Sequence, residues 1–214
     1  MDVDGFWTLI EQSEQQTSLR AERVAWLEER LSAIPAEEIV DFAGWWTLAA
    51  NRSCTWDMYA VYWFLMGSGS SDGFGSFVSW LIGLGREAFE TVADCPDAAL
   101  EVPQIQHVLE LQRSFAEDRA TRGRRRTGRR VMWTREEWPE FELLSYVSHE
   151  PYRKATGLDV YSLYDVLKAR GITSAFPSWP DGECWDFDDM EELVRRLPRV
   201  ARYPGVVEPE TSTG

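Results

Sequence analysis

The sequence predicts an all-α fold: a single-domain multi-helix bundle around a central buried helical hairpin, with a small irregular C-terminal segment. Three observations carry that reading. Apolar residues recur at three- and four-residue intervals in segment after segment, the spacing that lines one face of a helix. Prolines, glycines and short polar residues stand where those segments begin and end. Residues 56–85, WDMYAVYWFLMGSGSSDGFGSFVSWLIGLG, hold two strongly apolar segments joined by a Gly/Ser loop, the pattern of two buried helices in a hairpin.

Taken in order, Phe6, Leu9 and Ile10 predict a short amphipathic helix with Asp4 as its cap. Val24, Leu27, Leu31 and Ile34 predict a second, stopped by Pro35. Ile39, Phe42, Ala43 and Trp46 predict a third, with Pro35 in its first turn. Residues 56–66 are apolar except at Asp57, as a central helix should be. The run is too short to span a bilayer, which takes about 20 residues. Phe74, Phe77, Val78 and Leu81, continued by Ala88 and Val92, predict one helix over residues 74–92. Ser70, Ser71 and Asp72 are its cap candidates, and Asp72 is the expected cap because an acid there also suits the helix dipole. Trp80, Ile82 and Phe89 fall off that face, so the helix is expected to be covered on more than one side.

Asp94-Cys95-Pro96-Asp97 breaks the chain, and Ile105, Val108, Leu109 and Phe115 share a face behind Pro103. Residues 119–130, RATRGRRRTGRR, read as a mobile basic loop. Phe141, Leu144 and Val147 predict a helix beginning near Pro139; Val160, Leu163, Tyr164 and Leu167 predict another, ended by Gly171. Turn chemistry over residues 172–186 allows a small hairpin. Asp188-x-x-Glu191 has the form of a capping box before a last helix. The single helical domain is expected over residues 1–200, and residues 204–214 read as a disordered tail.

Charge narrows the partners. The net charge is −14, yet residues 119–135 hold eight arginines and no acid, which leaves 14 bases against 36 acids elsewhere, a net −22. Such a body repels nucleic acid and membrane surfaces and attracts basic partners. Residues 119–130 also lack aromatic residues on which bases could stack, and Trp133 stands just outside them. Nucleic acid and membrane are therefore not expected partners. The three cysteines, odd in number and without a CxxC pair, fit free thiols in a reducing compartment. No basic stretch precedes an apolar run at the start of the chain, so a cytoplasmic location is expected.

No motif commits the chain to catalysis. The Gly/Ser loop lacks the preceding strand and the lysine of a P-loop. The two histidines, His107 and His149, show no zinc-ligand spacing with Cys54, Cys95 or Cys184. The acids between 181 and 192 depart from a calcium loop, since Asp186 stands where its glycine belongs. No catalytic residue, metal or cofactor is assigned. The candidate binding positions are Trp56, Asp57, Ser71, Asp72, Gly73, Arg86 and Glu142. Asp57, an acid inside an apolar helix, is expected to pair with an arginine, with Arg86 as the candidate.

Phe6-Trp7, Trp56-Asp57, Ser70-x-Asp72-Gly73-Phe74, Phe77, Trp80-Leu81-Ile82 and Gly85-Arg86, followed by Glu142-x-Leu144, Tyr152 and Thr156-Gly157, resemble the signature of a bacterial family catalogued as domain of unknown function 4240. The likeness covers about residues 5–157. The family's usual loop reads Cys-Ser-Asp-Asp-Gly-Phe; here Gly69 replaces the cysteine and Ser71 the first aspartate. The resemblance implies a bacterial cytoplasmic protein and brings no activity with it. The expected function is that of a non-enzymatic acidic binding protein engaging a basic protein partner, as a regulator or an immunity-type neutraliser. The alternative is a small-molecule enzyme or ligand binder with a Trp-lined pocket at the Asp72 loop, its polar groups Asp57, Asp72, Arg86 and Glu142.

Overall fold

The computed structural model describes residues 1–67, 69–122, 133–176, 179–180 and 182–203, without the side chains of residues 116 and 118–122. Its α-helices are α1 (Val3–Gln16), α2 (Arg20–Ser32), α3 (Ala36–Arg52), α4 (Trp56–Met66), α5 (Ser71–Gly83), α6 (Arg86–Asp94), α7 (Pro103–Arg122), α8 (His149–Thr156), α9 (Val160–Ala169), α10 (Met190–Arg196) and α11 (Pro198–Ala201). Short 3₁₀ turns cover Pro96–Glu101 and Glu142–Tyr146. No strand occurs among the described residues. The fold is all-α, and the described residues between 172 and 186 form no hairpin strands but irregular chain and turns.

The helix faces follow the predicted spacing. Phe6, Trp7 and Ile10 of α1 are buried, as are Leu27 and Leu31 of α2, and Phe74, Phe77, Val78 and Leu81 of α5. Each such side chain contributes about 1.5–3 kcal/mol by leaving water. Helix α4 buries Met58, Tyr59, Ala60, Val61, Tyr62 and Leu65, nearly its full circumference. It meets α5 through ring contacts of Tyr59 and Tyr62 with Phe74, and of Tyr62 with Phe77. Helix α5 is the hub, touching α1, α3, α4, α6 and the turn Glu142–Tyr146. A second, smaller apolar cluster joins Ile39, Val40 and Ala43 of α3 to Tyr152 of α8 and Leu163 and Leu167 of α9.

Several boundaries differ from the sequence reading. Asp2, not Asp4, caps α1 by accepting from the Gly5 N–H at 2.8 Å. Ser70, not Asp72, caps α5, accepting from the Gly73 N–H at 3.1 Å. Asp72 sits within the first turn, where its charge suits the dipole without making the capping bond. The helix expected over residues 74–92 is two helices, broken at Gly85, whose φ of +93° suits glycine and resists a side chain. Phe115 is 44% exposed instead of sharing the buried face of α7. Phe141, Leu144 and Val147 are buried around a 3₁₀ turn, not an α-helix. Asp189, one residue later than expected, caps α10. Helix α7 runs through Arg122, so the basic stretch starts as helix; residues 123–130 and the tail 204–214 lie outside the described residues.

Two arginines of α2 tie the hub to the chain around Phe141. Arg23 donates from Nε to Ser13 Oγ at 3.2 Å and from Nη2 to the Gly83 carbonyl at 2.7 Å. Its guanidinium lies 5.3 Å from the Phe141 ring centre. Burial pushes its pKa below the usual arginine value, with Glu14 opposing the shift. The contact places a cation on the C-terminal carbonyls of α5, where the helix dipole favours it. Arg20 donates to four carbonyls, those of Arg135, Glu136, Trp138 and Glu140, at 2.5–2.8 Å. It thereby clamps the segment that leads into the Glu142–Tyr146 turn.

Candidate functional site

The N-terminal end of α5 opens into a cleft of about 1060 Å³. One wall is α3, with Phe42, Trp46 and Thr47; the floor is α5, with Asp72, Ser76 and Ser79. The Glu142–Tyr146 turn and His149 close one side, and α9 with residues 172–176 closes the other. Phe141 donates its N–H to the Ser76 carbonyl at 2.9 Å, which fixes the turn against the floor. Asn51 fixes the opposite side with both ends of its amide: Nδ2 donates to the Thr173 carbonyl and Oδ1 accepts from the Ala175 N–H, each at 2.7 Å.

The small residues of the Asp72 loop have steric reasons. A Cβ on Gly73 would stand 2.2 Å from the Tyr62 hydroxyl, and one on Gly69 would stand 2.4 Å from the Tyr59 hydroxyl. Both are shorter than any real contact. Glycine at position 69 therefore fits a chain whose Tyr59 hydroxyl fills the side-chain space.

Four acids line the cleft, Asp72, Glu140, Glu142 and Asp165, against one lysine, Lys168. At the mouth, Tyr146 donates its hydroxyl to Glu142 Oε1 at 3.2 Å, and the Tyr164 hydroxyl is bonded to His149 Nε2 at 3.1 Å. Burial lowers the His149 pKa, which favours the neutral ring. Burial raises the Tyr146 and Tyr164 pKa values, helped by the neighbouring Glu142 charge at Tyr146 and by the other tyrosines at Tyr164. Both phenols therefore stay protonated at neutral pH. The buried indole N–H of Trp46, in the cleft wall, has no hydrogen-bond partner.

Of the seven candidate positions, Ser71, Asp72, Gly73 and Glu142 line this cleft together. The other three serve elsewhere. Asp57 accepts from Trp185 Nε1 at 3.0 Å and from Arg196 Nη1 at 3.2 Å, so its arginine partner is Arg196 and not Arg86. Trp56 donates from Nε1 to the Gly182 carbonyl at 3.3 Å and stacks on Trp179. Both hold the C-terminal segment onto α4. Arg86 pairs with Asp4 at 2.7 Å and Glu90 at 2.9 Å. The expected Trp-lined pocket contains one tryptophan, Trp46, and the rings at its mouth are tyrosines and a histidine. Sequence reasoning passed over Tyr146, His149, Tyr164 and Asp165. Tyr146 and His149 stand three residues apart; Tyr164 and Asp165 come from another helix, and only the tertiary fold joins them. Among the described residues, no group of three or more His, Cys, Asp or Glu could hold a metal ion.

Fold and cleft together define an all-α protein with an open, acid-lined cavity at the start of its central helix. The chain belongs to the family described as Protein of unknown function (DUF4240), whose model matches residues 1–154. Within the matched region, Ser70, Asp72, Gly73, Glu142 and Leu144 all line the cleft. No curated protein matches the chain significantly, and no solved structure does.

Proposed function

We propose that this is a non-enzymatic binding protein that takes a cationic ligand into the cleft at the Asp72 loop. The observation that carries the reading is the charge of the cavity: four carboxylates face one ammonium in a space of about 1060 Å³. Ligand sites of small molecules run to roughly 300–1,000 Å³, so a small cation or the side chains of a partner both fit. The net −22 outside the arginine stretch supports a basic protein as the source of that cation, and acts over the Debye length to speed its approach. The proposal carries a cytoplasmic location with it, supported by an odd number of cysteines without a CxxC pair. No helix among the described residues is long and apolar enough to cross a membrane.

Equilibrium binding tests the reading. Small organic cations should bind the purified chain at low salt and weaken as salt rises. Asp72→Asn combined with Glu142→Gln should abolish that binding and lower the melting temperature by no more than about 4 °C, the dipole contribution of the Asp72 charge. Equal binding of dicarboxylates, or cation binding that survives the double substitution, would overturn it.

A further inference from the structure

We infer that the cleft selects a cation rich in N–H donors, a guanidinium or a primary ammonium, and discriminates against quaternary ammonium. The inference rests on the cleft being the ligand site and adds the ligand's hydrogen-bonding character. Charge alone does not distinguish these cations; the direction of the hydroxyl protons does.

A serine or threonine hydroxyl has one proton to donate and two lone pairs to accept with. In the cleft, four of them give that proton to a backbone carbonyl of their own helix or turn. Thr47 donates to the Ala43 carbonyl at 2.8 Å, Ser76 to Asp72 at 3.1 Å, Ser79 to Gly75 at 2.9 Å, and Ser145 to Glu142 at 2.7 Å. Their remaining capacity is acceptor only. Tyr146 gives its proton to Glu142, and the Tyr164 hydroxyl is matched with His149. The carboxylates of Asp72, Glu140, Glu142 and Asp165 are acceptors too. Against this stand the Lys168 ammonium, the hydroxyl protons of Ser70, Ser71, Ser148, Thr173 and Ser174, and the one proton that the Tyr164–His149 bond leaves over. The buried Trp46 N–H in the cleft wall is a further donor. Acceptors still outnumber donors, because each of the four carboxylates accepts through two oxygens and donates nothing.

A ligand that fills such a site must bring donors. Guanidinium carries five N–H bonds on a substituted nitrogen fork and a primary ammonium carries three. A carbohydrate brings donors and acceptors in equal measure and would leave acceptors facing acceptors. A quaternary ammonium brings none and depends on open aromatic faces. The rings at the mouth stand in a row and not around a common centre: Tyr146 and His149 lie 5.4 Å apart, and His149 and Tyr164 5.7 Å apart at 83°. The rings pack on one another and do not form a box.

Calorimetric titration of the full chain at low salt tests this with three probes: agmatine, which carries a guanidinium and a primary ammonium, choline, and the blocked peptide acetyl-Gly-Arg-Gly-amide. Agmatine should bind at least about tenfold tighter than choline, a difference of roughly 1.4 kcal/mol. Glu142→Gln and Asp72→Asn should each weaken agmatine binding and narrow that gap, with the circular dichroism spectrum unchanged. The blocked peptide separates the sources. Binding equal to agmatine assigns the site to a protein's arginine, and agmatine binding alone assigns it to a free small molecule; both support the donor argument. Choline binding as tightly as agmatine overturns the donor argument and leaves the cationic cleft standing. Failure of every cation to bind sinks the cleft as a cation site and this inference with it.

Discussion

Replacing Arg20 with methionine should destabilise the protein and disorganise one side of the cleft. Arg20→Met keeps the apolar stem and removes a guanidinium that serves four carbonyls. The carbonyls of Arg135 and Trp138 are bonded at exposed positions, so water replaces the lost donor at little cost. Those of Glu136 and Glu140 are part-buried, and each costs roughly 1–3 kcal/mol when left unsatisfied. Removing the charge also relieves its own desolvation, which lowers the Arg20 pKa ahead of the opposing pull of Glu136. The balance is a net loss of about 2–4 kcal/mol. A chain of this size loses roughly 2–4 °C per kcal/mol, so the melting temperature should fall by about 5–15 °C. Thermal melts followed by far-UV circular dichroism read this directly. Arg20→Lys should fall between the two, because an ammonium lacks the planar fork that reaches several carbonyls at once. A melting temperature for Arg20→Met within about a degree of wild type would refute the clamp, since even one unsatisfied carbonyl is expected to cost more.

Three further outcomes follow from the geometry. Ser70→Ala should cost about 0.5–2 kcal/mol by removing the α5 cap, while Asp72→Ala should cost only the dipole contribution, about 0.3–1 kcal/mol; chemical denaturation of both would contradict the cap assignment if the order were reversed. Gly73→Ala should destabilise by roughly 1–3 kcal/mol through overpacking against the Tyr62 hydroxyl, and most of that loss should disappear on a Tyr62→Phe background, where the clashing oxygen is absent. The depressed pKa of His149 means that the unfolded chain binds the proton more readily. Stability should therefore fall as pH drops below the unfolded value of about 6.5 toward the lower folded value. His149→Gln should flatten that portion of the melting-temperature profile, and identical profiles for the two chains would refute the half-buried neutral imidazole.

What could be read from the sequence was set by local periodicity. The faces of α1, α2, α3 and α5 follow from spacing alone, because burial on one side of a helix imposes a 3.6-residue period. Caps were legible only as sets of candidates. Asp2, Ser70 and Asp189 each have an acid or a hydroxyl within two residues, and backbone angles decide between them. The break at Gly85 was hidden because apolar residues continue past it to Phe89 and Val92, both buried. The site divides in the same way. Ser71, Asp72 and Gly73 are neighbours in a marked loop, and Glu142 lay in a quoted motif. Tyr164 and Asp165 reach the cleft through the packing of Leu163 and Leu167 on α3, a contact between segments more than a hundred residues apart. Asp57 misled for a physical reason: an acid in an apolar helix signals a partner without saying which arginine supplies it.

The match to the family ends at residue 154, within α8, and this divides the cleft along a seam. Asp72, Ser76 and Glu142 lie on the matched side; Tyr164, Asp165 and Lys168 lie on α9, beyond it. The inward residues of α9, Leu163 and Leu167, are tied to the second apolar cluster, but Tyr164, Asp165 and Lys168 are exposed and hold no core in place. Substitutions at those three positions should therefore change the lining of that wall at little cost to folding. One wall of the cavity comes from the region that matches the family, and the facing wall from the chain beyond it.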